Sequence, residues 1–234
     1  MSLSSSDIAA LAASSAPVLC VDTCTVLDVI RDITRETVTP GDAMAGLALL
    51  TAAETGTGLT VLMAEQVSLE LATHIAGVEQ EALNGLAKLQ AQIQRVHNVA
   101  VAYGALGPLY IQHLAGHVVR ARTVLDRWTR VVRPVPHNDA VASRAFRRVN
   151  APRTPARKGK ESMKDCVIVE AYIEAASQLR AAGLTAPIVF ASSNTKEYHA
   201  PNTTHLQSDI AADLGAVGVE YAPNWGAAKH ALGL

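Results

Sequence analysis

The sequence predicts an α/β fold, a three-layer α/β/α arrangement around a mainly parallel sheet, carrying a helical insertion. Three observations lead to it. Short apolar runs of strand length recur near both ends of the chain. Segments with helical periodicity alternate with them, and a long helical block lies between the two ends. With 234 residues, of which 49% are hydrophobic, the chain is long enough for a well-buried core. We read residues 1–234 as one domain with the helical insertion at 77–150.

The elements follow in order. Met1 to Ala16 is Ser/Ala-rich without a basic leader, and it reads as a weakly helical terminus rather than a signal peptide. Val18 to Val21, entered from Pro17, reads as a buried strand, with Thr25 to Arg31 helical behind it. Asp42, after Pro40 and Gly41, is placed to cap a helix over Ala43 to Glu54. Leu59 to Met63 is the second strand, and a helix starting at Gln66 or Ser68 carries Glu70. From there to about Ala145 the pattern is helical, over Val78 to Val96, Leu109 to Trp128 and Asp139 to Arg148, with strand propensity at Val99 to Tyr103 and Val131 to Val135 but sparse turn chemistry. Asn150 to Lys160 has two prolines, a glycine and four basic residues, the composition of an exposed loop. Ser162 is placed to cap a helix running to Ala182, with Gly183 to stop it. Ile188 to Ala191 is the third strand, Ala216 to Val219 the fourth, and Trp225 to Ala231 the final helix.

Composition excludes several classes. The formal charge of -1 argues against nucleic-acid binding by bulk electrostatics, while leaving room for a local basic patch. Cys20, Cys24 and Cys166 match no zinc spacing and read as small buried thiols of a cytoplasmic protein. No apolar run approaches the roughly 18 residues of a membrane span. There is no nucleophile elbow, no P-loop and no Gly-rich dinucleotide fingerprint. His74 falls one turn after Glu70, and His113 and His117 are spaced i, i+4. Neither arrangement has a third ligand nearby, so all three read as ordinary histidines.

What remains is acidic. Asp22 directly follows the first strand. Glu70 lies on the helix after the second, Asp165 in the first turn of the helix after the basic loop, and Asn194 and Glu197 just after the third strand. In parallel sheets, ligands bind beyond the carboxyl ends of the strands. Oxygen ligands converging from several such ends suit Mg²⁺ or Mn²⁺, which keep several waters and need few carboxylates. Each residue also has an ordinary reading: Asp22 as a helix N-cap, Asp165 as a partner of the helix dipole, Asn194 as a turn former and Glu70 as a surface residue.

Taken in order, the segments resemble a PIN domain, the fold of VapC-type toxin ribonucleases and related nucleases. Val-Asp-Thr-Cys-Thr-Val-Leu at 21–27 is similar to that family's opening motif, and Val-Ser-Leu-Glu-Leu at 67–71 to its second acidic motif. Lys-Gly-Lys-Glu-Ser-Met-Lys-Asp-Cys-Val-Ile-Val-Glu-Ala-Tyr at 158–172 resembles the third, in the form of the larger PIN-like proteins. Val-Phe-Ala-Ser-Ser-Asn-Thr-Lys-Glu-Tyr at 189–198 resembles the fourth, with Asn194 where many members have Asp and Glu197 where a second Asp is common. The resemblance covers roughly 17–75 and 155–222.

It implies a metal-dependent endoribonuclease in which Asp22, Glu70 and Asp165 hold Mg²⁺ or Mn²⁺ and Asn194 and Glu197 complete the catalytic set. Arg157, Lys158 and Lys160, with Ser192 and Ser193, would then contact an RNA substrate. Arg153 belongs to the same loop, and Arg144, Arg147 and Arg148 extend its charge from the preceding helix. The resemblance leaves room for an antitoxin or other protein partner and for a homo-oligomer, with no membrane association. The alternative is a catalytically weak PIN-like module that binds protein or RNA. A phosphatase on a doubly wound fold would want a second acid two residues after Asp22, where Cys24 stands instead.

Overall fold

The computed structural model describes residues 3–157 and 162–234. Its centre is β1 (Val18–Val21), four consecutive buried residues that need cover on both faces. It pairs with β2 (Thr60–Ala64) on one side and β4 (Ile188–Ala191) on the other, both parallel, with Val18 opposite Thr60 and Ile188. The edges are β3 (Val132–Val135), beside β2, and β5 (Val219–Ala222), beside β4. The order of this five-stranded parallel sheet is therefore β3-β2-β1-β4-β5. The chain builds outward from β1 to one edge, then crosses back to β4. The crevice at that reversal, beyond the carboxyl ends of β1 and β4, is where such sheets bind ligands.

Ten helices flank the sheet among the described residues. The first, α1 (Ser5–Ser14), precedes β1, and the short α2 (Thr23–Leu27) follows it at once. Next, α3 (Pro40–Glu54) is capped by Thr39, whose side chain accepts from the Asp42 N–H, so Asp42 sits inside the helix rather than at its cap. The helix α4 (Glu65–Ala102) runs 38 residues without a break, about 57 Å at 1.5 Å per residue. It joins the segments read as separate helices. Gly85 does not interrupt it; a Cβ there would lie 2.1 Å from Asp32 Oδ2, so the glycine is where the chain after α2 rests on α4. A 3₁₀ turn at Gln112–Leu114 leads to α5 (His117–Val131), then α6 (Asp139–Asn150), α7 (Met163–Ala181), α8 (Thr195–Tyr198), α9 (Ser208–Ala216) and α10 (Trp225–Ala231).

Two further sequence expectations need correction. The block read as helical also supplies β3, an edge strand whose Pro134 costs no ladder bond on its open side. The last strand begins at Val219, three residues later than Ala216, because Gly218 turns the chain with φ +63° before it.

The core runs through both layers, with Leu19, Leu62, Ile168, Val189 and Phe190 each 1% exposed or less. Burying such a side chain contributes roughly 1.5–3 kcal/mol. One buried polar group positions the crevice directly. Tyr172, on α7, donates its hydroxyl to the Val21 carbonyl at 2.6 Å and accepts from the Ala64 N–H at 2.9 Å. It satisfies backbone groups that would otherwise be stranded where β1 and β2 end.

Candidate active site

Asp22 is the residue at which β1 becomes α2. Its backbone is extended (φ −90°, ψ 157°), its N–H still pairs with the Ala191 carbonyl of β4 at 3.0 Å, and its side chain caps α2. Oδ1 accepts from the Thr23 N–H at 2.7 Å; Oδ2 accepts from Ser192 Oγ at 2.5 Å and from Cys24 Sγ at 3.1 Å. The residue is 4% exposed. Burial pushes its pKa above the ordinary range, the hydrogen bonds from Ser192, Cys24 and Thr23 pull it back, and the charge of Glu70 pushes it up again. A buried carboxylate costs several kcal/mol in desolvation, and each hydrogen bond to a charge returns about 1.5–3. Burial wins here, so the ionised form is held at a cost.

Glu70 reaches the same place from α4. Thr23 Oγ1 donates to its Oε2 at 2.6 Å, so one residue ties both carboxylates together, and Gln66 Nε2 steadies Oε1 at 3.1 Å. Asp165 stands half-buried in the first turn of α7. Asp165 and Asp22 both act on Tyr198, a fully buried phenol whose pKa is raised well above normal, first by burial and then by the charges of Asp22 and Asp165. The Tyr198 hydroxyl has no hydrogen-bond partner among the described residues. It is an orphaned polar group within electrostatic reach of both acids.

The fourth segment divides. Ser192 is completely buried and is spent on Asp22, so it orients the carboxylate and is not free to meet a phosphate. Ser193, half-buried, donates its N–H to Thr25 Oγ1 at 2.9 Å, and its side chain bonds Asp28. Asn194 stands at the N-cap position of α8 without a side-chain capping bond and lines a pocket beside the crevice. Glu197 is 5% exposed and pairs with Arg157 at 3.2 Å, a half-exposed cation. Lys158 and Lys160 lie outside the described residues.

The extended basic patch is smaller than the sequence suggests. Arg148 is buried between Glu170 (2.6 Å) and Asp213 (2.8 Å), and Arg144 bridges Glu170 and Glu174. Arg153 pairs with Asp213 at 2.7 Å, leaving Arg147 as the exposed arginine of α6. Three of these charges hold the fold together. His113 and His117 fall on different elements, a 3₁₀ turn and α5, and His74 is exposed.

Among the described residues, no group of three or more His, Cys, Asp or Glu side chains is close enough to cage a metal. The donors at Asp22 nonetheless fit one class of ion. Cys24 has its pKa pushed up to about 12, chiefly by burial, so it is a neutral thiol donating to Asp22 rather than a soft ligand. The acceptors there are the carboxylate oxygens of Asp22 and Glu70, neither of them in an ion pair among the described residues. A hard divalent cation bound by one or two carboxylates and several waters matches that set, and zinc does not.

Thr23, Cys24, Gln66 and Tyr198 all shape the site, and the sequence reading passed over them. Thr23 and Cys24 lie within two residues of Asp22, and Gln66 lies one helical turn before Glu70, but nothing in their spacing marks them as part of a site. Tyr198 is found only through burial. Comparison with known proteins agrees with this architecture. A family model described as PIN domain matches residues 19–198, most of the chain. No curated protein and no solved structure matches. The chain belongs to the PIN-domain family, whose members are generally nucleases.

Proposed function

We propose that this protein is a metal-dependent nuclease, an endoribonuclease that hydrolyses phosphodiester bonds with Mg²⁺ or Mn²⁺. The supporting observation is the buried Asp22 carboxylate at the sheet's reversal point, held by neutral donors and tied through Thr23 to a second carboxylate. Asp22 and Glu70 would hold the ion, with Asp165 joining directly or through water. When bound, it acidifies a water and stabilises charge on a phosphoryl oxygen.

The remaining roles belong to the chain. Ser192, Cys24 and the Thr23 N–H fix the orientation of Asp22, and Gln66 and the Thr23 hydroxyl fix that of Glu70. Asn194 and Glu197 complete the polar wall. Arg157 and the exposed Lys196, with Lys158 and Lys160 by their sequence position, draw in the phosphate backbone.

Cleavage of a mixed-sequence RNA, with single-stranded DNA alongside, tests this in Mn²⁺, in EDTA and with Asp165→Ala. RNA cleavage in Mn²⁺ that disappears in both controls is expected. Equal cleavage in all three conditions would contradict the mechanism. No cleavage in any would favour a binding module with a vestigial site, a reading supported by Asn194 and by the missing three-ligand group among the described residues.

A further inference from the structure

Beside the acidic crevice lies a second feature. A pocket of about 840 Å³ opens between the chain after α2, α3, α5 and the start of α10. Small-molecule sites span roughly 300–1,000 Å³. It shares a border with the candidate active site: Cys24, the donor to Asp22, and Ser193 and Asn194 line both. A ligand there would sit against the residues that orient the catalytic carboxylate.

The lining is two-sided. Val29, Val38, Leu47 and Val124 make an apolar wall, continued by Trp225. Arg31, Arg35, Arg120 and Lys196 supply four cations against two carboxylates, Asp28 and Asp42. Both acids are engaged: Asp28 by Arg31 at 2.7 Å and by Ser193, Asp42 by the Gly226 N–H at 2.8 Å. Arg120 is fixed by donating to the Ala115 and His113 carbonyls. Arg35 and Lys196 are exposed, and neither takes part in an ion pair among the described residues. His117, on the same wall, has a buried Nε2 without a partner among the described residues. A flat apolar body with an anionic end, and a polar edge for the imidazole to meet, matches this lining.

We infer that the pocket seats one nucleotide of the substrate next to the scissile phosphate, base against the apolar wall and phosphate on the cationic rim. This placement rests on the nuclease reading. It makes the pocket the specificity element of the enzyme: the acids cut, and the neighbouring base is selected between α3 and α5.

The two tryptophans of the chain give a direct readout. Trp128 and Trp225 both line the pocket, stacked with centroids 4.8 Å apart, and Trp225 is pinned by Gly46, where a Cβ would lie 3.2 Å from its ring. The four nucleoside 5′-monophosphates are titrated in EDTA while tryptophan fluorescence is followed, then a short single-stranded RNA is added as competitor. At least one mononucleotide is expected to give a saturable change that the RNA displaces. Arg35→Ala, on an exposed segment, removes a phosphate contact and should weaken binding about tenfold. Ala43→Phe, which fills the mouth from an exposed position on α3, should abolish it.

No saturable change, or binding indifferent to both variants, overturns the pocket. Binding that RNA does not displace overturns the substrate placement and leaves a free nucleotide as the occupant. Cleavage assayed on the same preparations separates the two readings. Specific binding without cleavage supports the pocket while removing the nuclease; cleavage without binding does the reverse.

Discussion

Where α6, α7 and α9 meet, a buried and a half-buried carboxylate face guanidinium groups. Glu170 lies against Arg148 and Arg144, and Asp213 against Arg148 and Arg153. At the end of β1 the buried Asp22 is treated differently: its hydrogen-bond donors are neutral, and the nearest charge acting on it is another carboxylate. The central carboxylates of the two clusters are buried to a similar degree, with Glu170 6% and Asp22 4% exposed. In the first, desolvation is offset by partners inside the chain, so the cluster cements three helices. In the second, neither Asp22 nor Glu70 has an ion-pair partner among the described residues, at the place where the sheet order reverses. On the proposed reading, a divalent cation supplies the missing counter-charge.

Removing a partner should separate the two clusters most sharply. Arg148→Met leaves Glu170 buried without its main cation and should cost about 3–5 kcal/mol of stability, read as a lower midpoint in urea unfolding. Asp22→Asn should do the opposite. It keeps the side-chain shape, removes an ionised group held at a cost, and raises the melting temperature in EDTA. The same substitution should reduce RNA cleavage more than ~100-fold, since even a residue that merely supports a metal ligand costs about 10–100-fold. A stable and active Asp22→Asn protein would erase the distinction between the clusters. Ser192→Ala should fall in that 10–100-fold range with the fold intact, because it loosens Asp22 without touching the charge.

The smallest effect is in pH dependence, and its sign differs between regions. The pKa of Asp22 is raised from the ordinary 3.8, so the folded state holds its proton more tightly, and metal-free stability falls as pH rises from there through the raised value. Asp28 is shifted the same way by burial and adds to that fall. Asp209 is opposite. Burial opposes its ionisation, but two hydrogen bonds from Thr154 and one from the Ile210 N–H outweigh it and lower the pKa, so its contribution is lost as pH falls through the folded value. In EDTA, the stability gained by Asp22→Asn should grow with pH across the acid range. The stability lost by Asp209→Asn should shrink toward low pH.

Much of the scaffold was legible from local pattern. The runs at β1, β2 and β4 are short, apolar and bounded, and α10 has Asn224 as a cap before Trp225. The position of Asp22 was readable for the same reason: an acid directly after a buried four-residue run must emerge at a strand end. β3 was half legible: Val131 to Val135 carries strand propensity, but sparse turn chemistry left it inside a block read as helical, and its Arg133 and Pro134 suit only an open edge. The arginines of α6 misled because sequence gives charge without partners: Glu170 and Asp213 lie 22 and 65 residues from Arg148. Thr23 escaped notice for a related reason, since its partner Glu70 is brought near only by the pairing of β1 with β2.

The most direct test is a thermal melt of wild type and Asp22→Asn across a Mn²⁺ titration, starting from EDTA. The account predicts a saturable rise in Tm for wild type, as expected for an ion that binds the folded state, and no rise for Asp22→Asn. Equal rises in both proteins, or none in either, would contradict a metal site centred on Asp22.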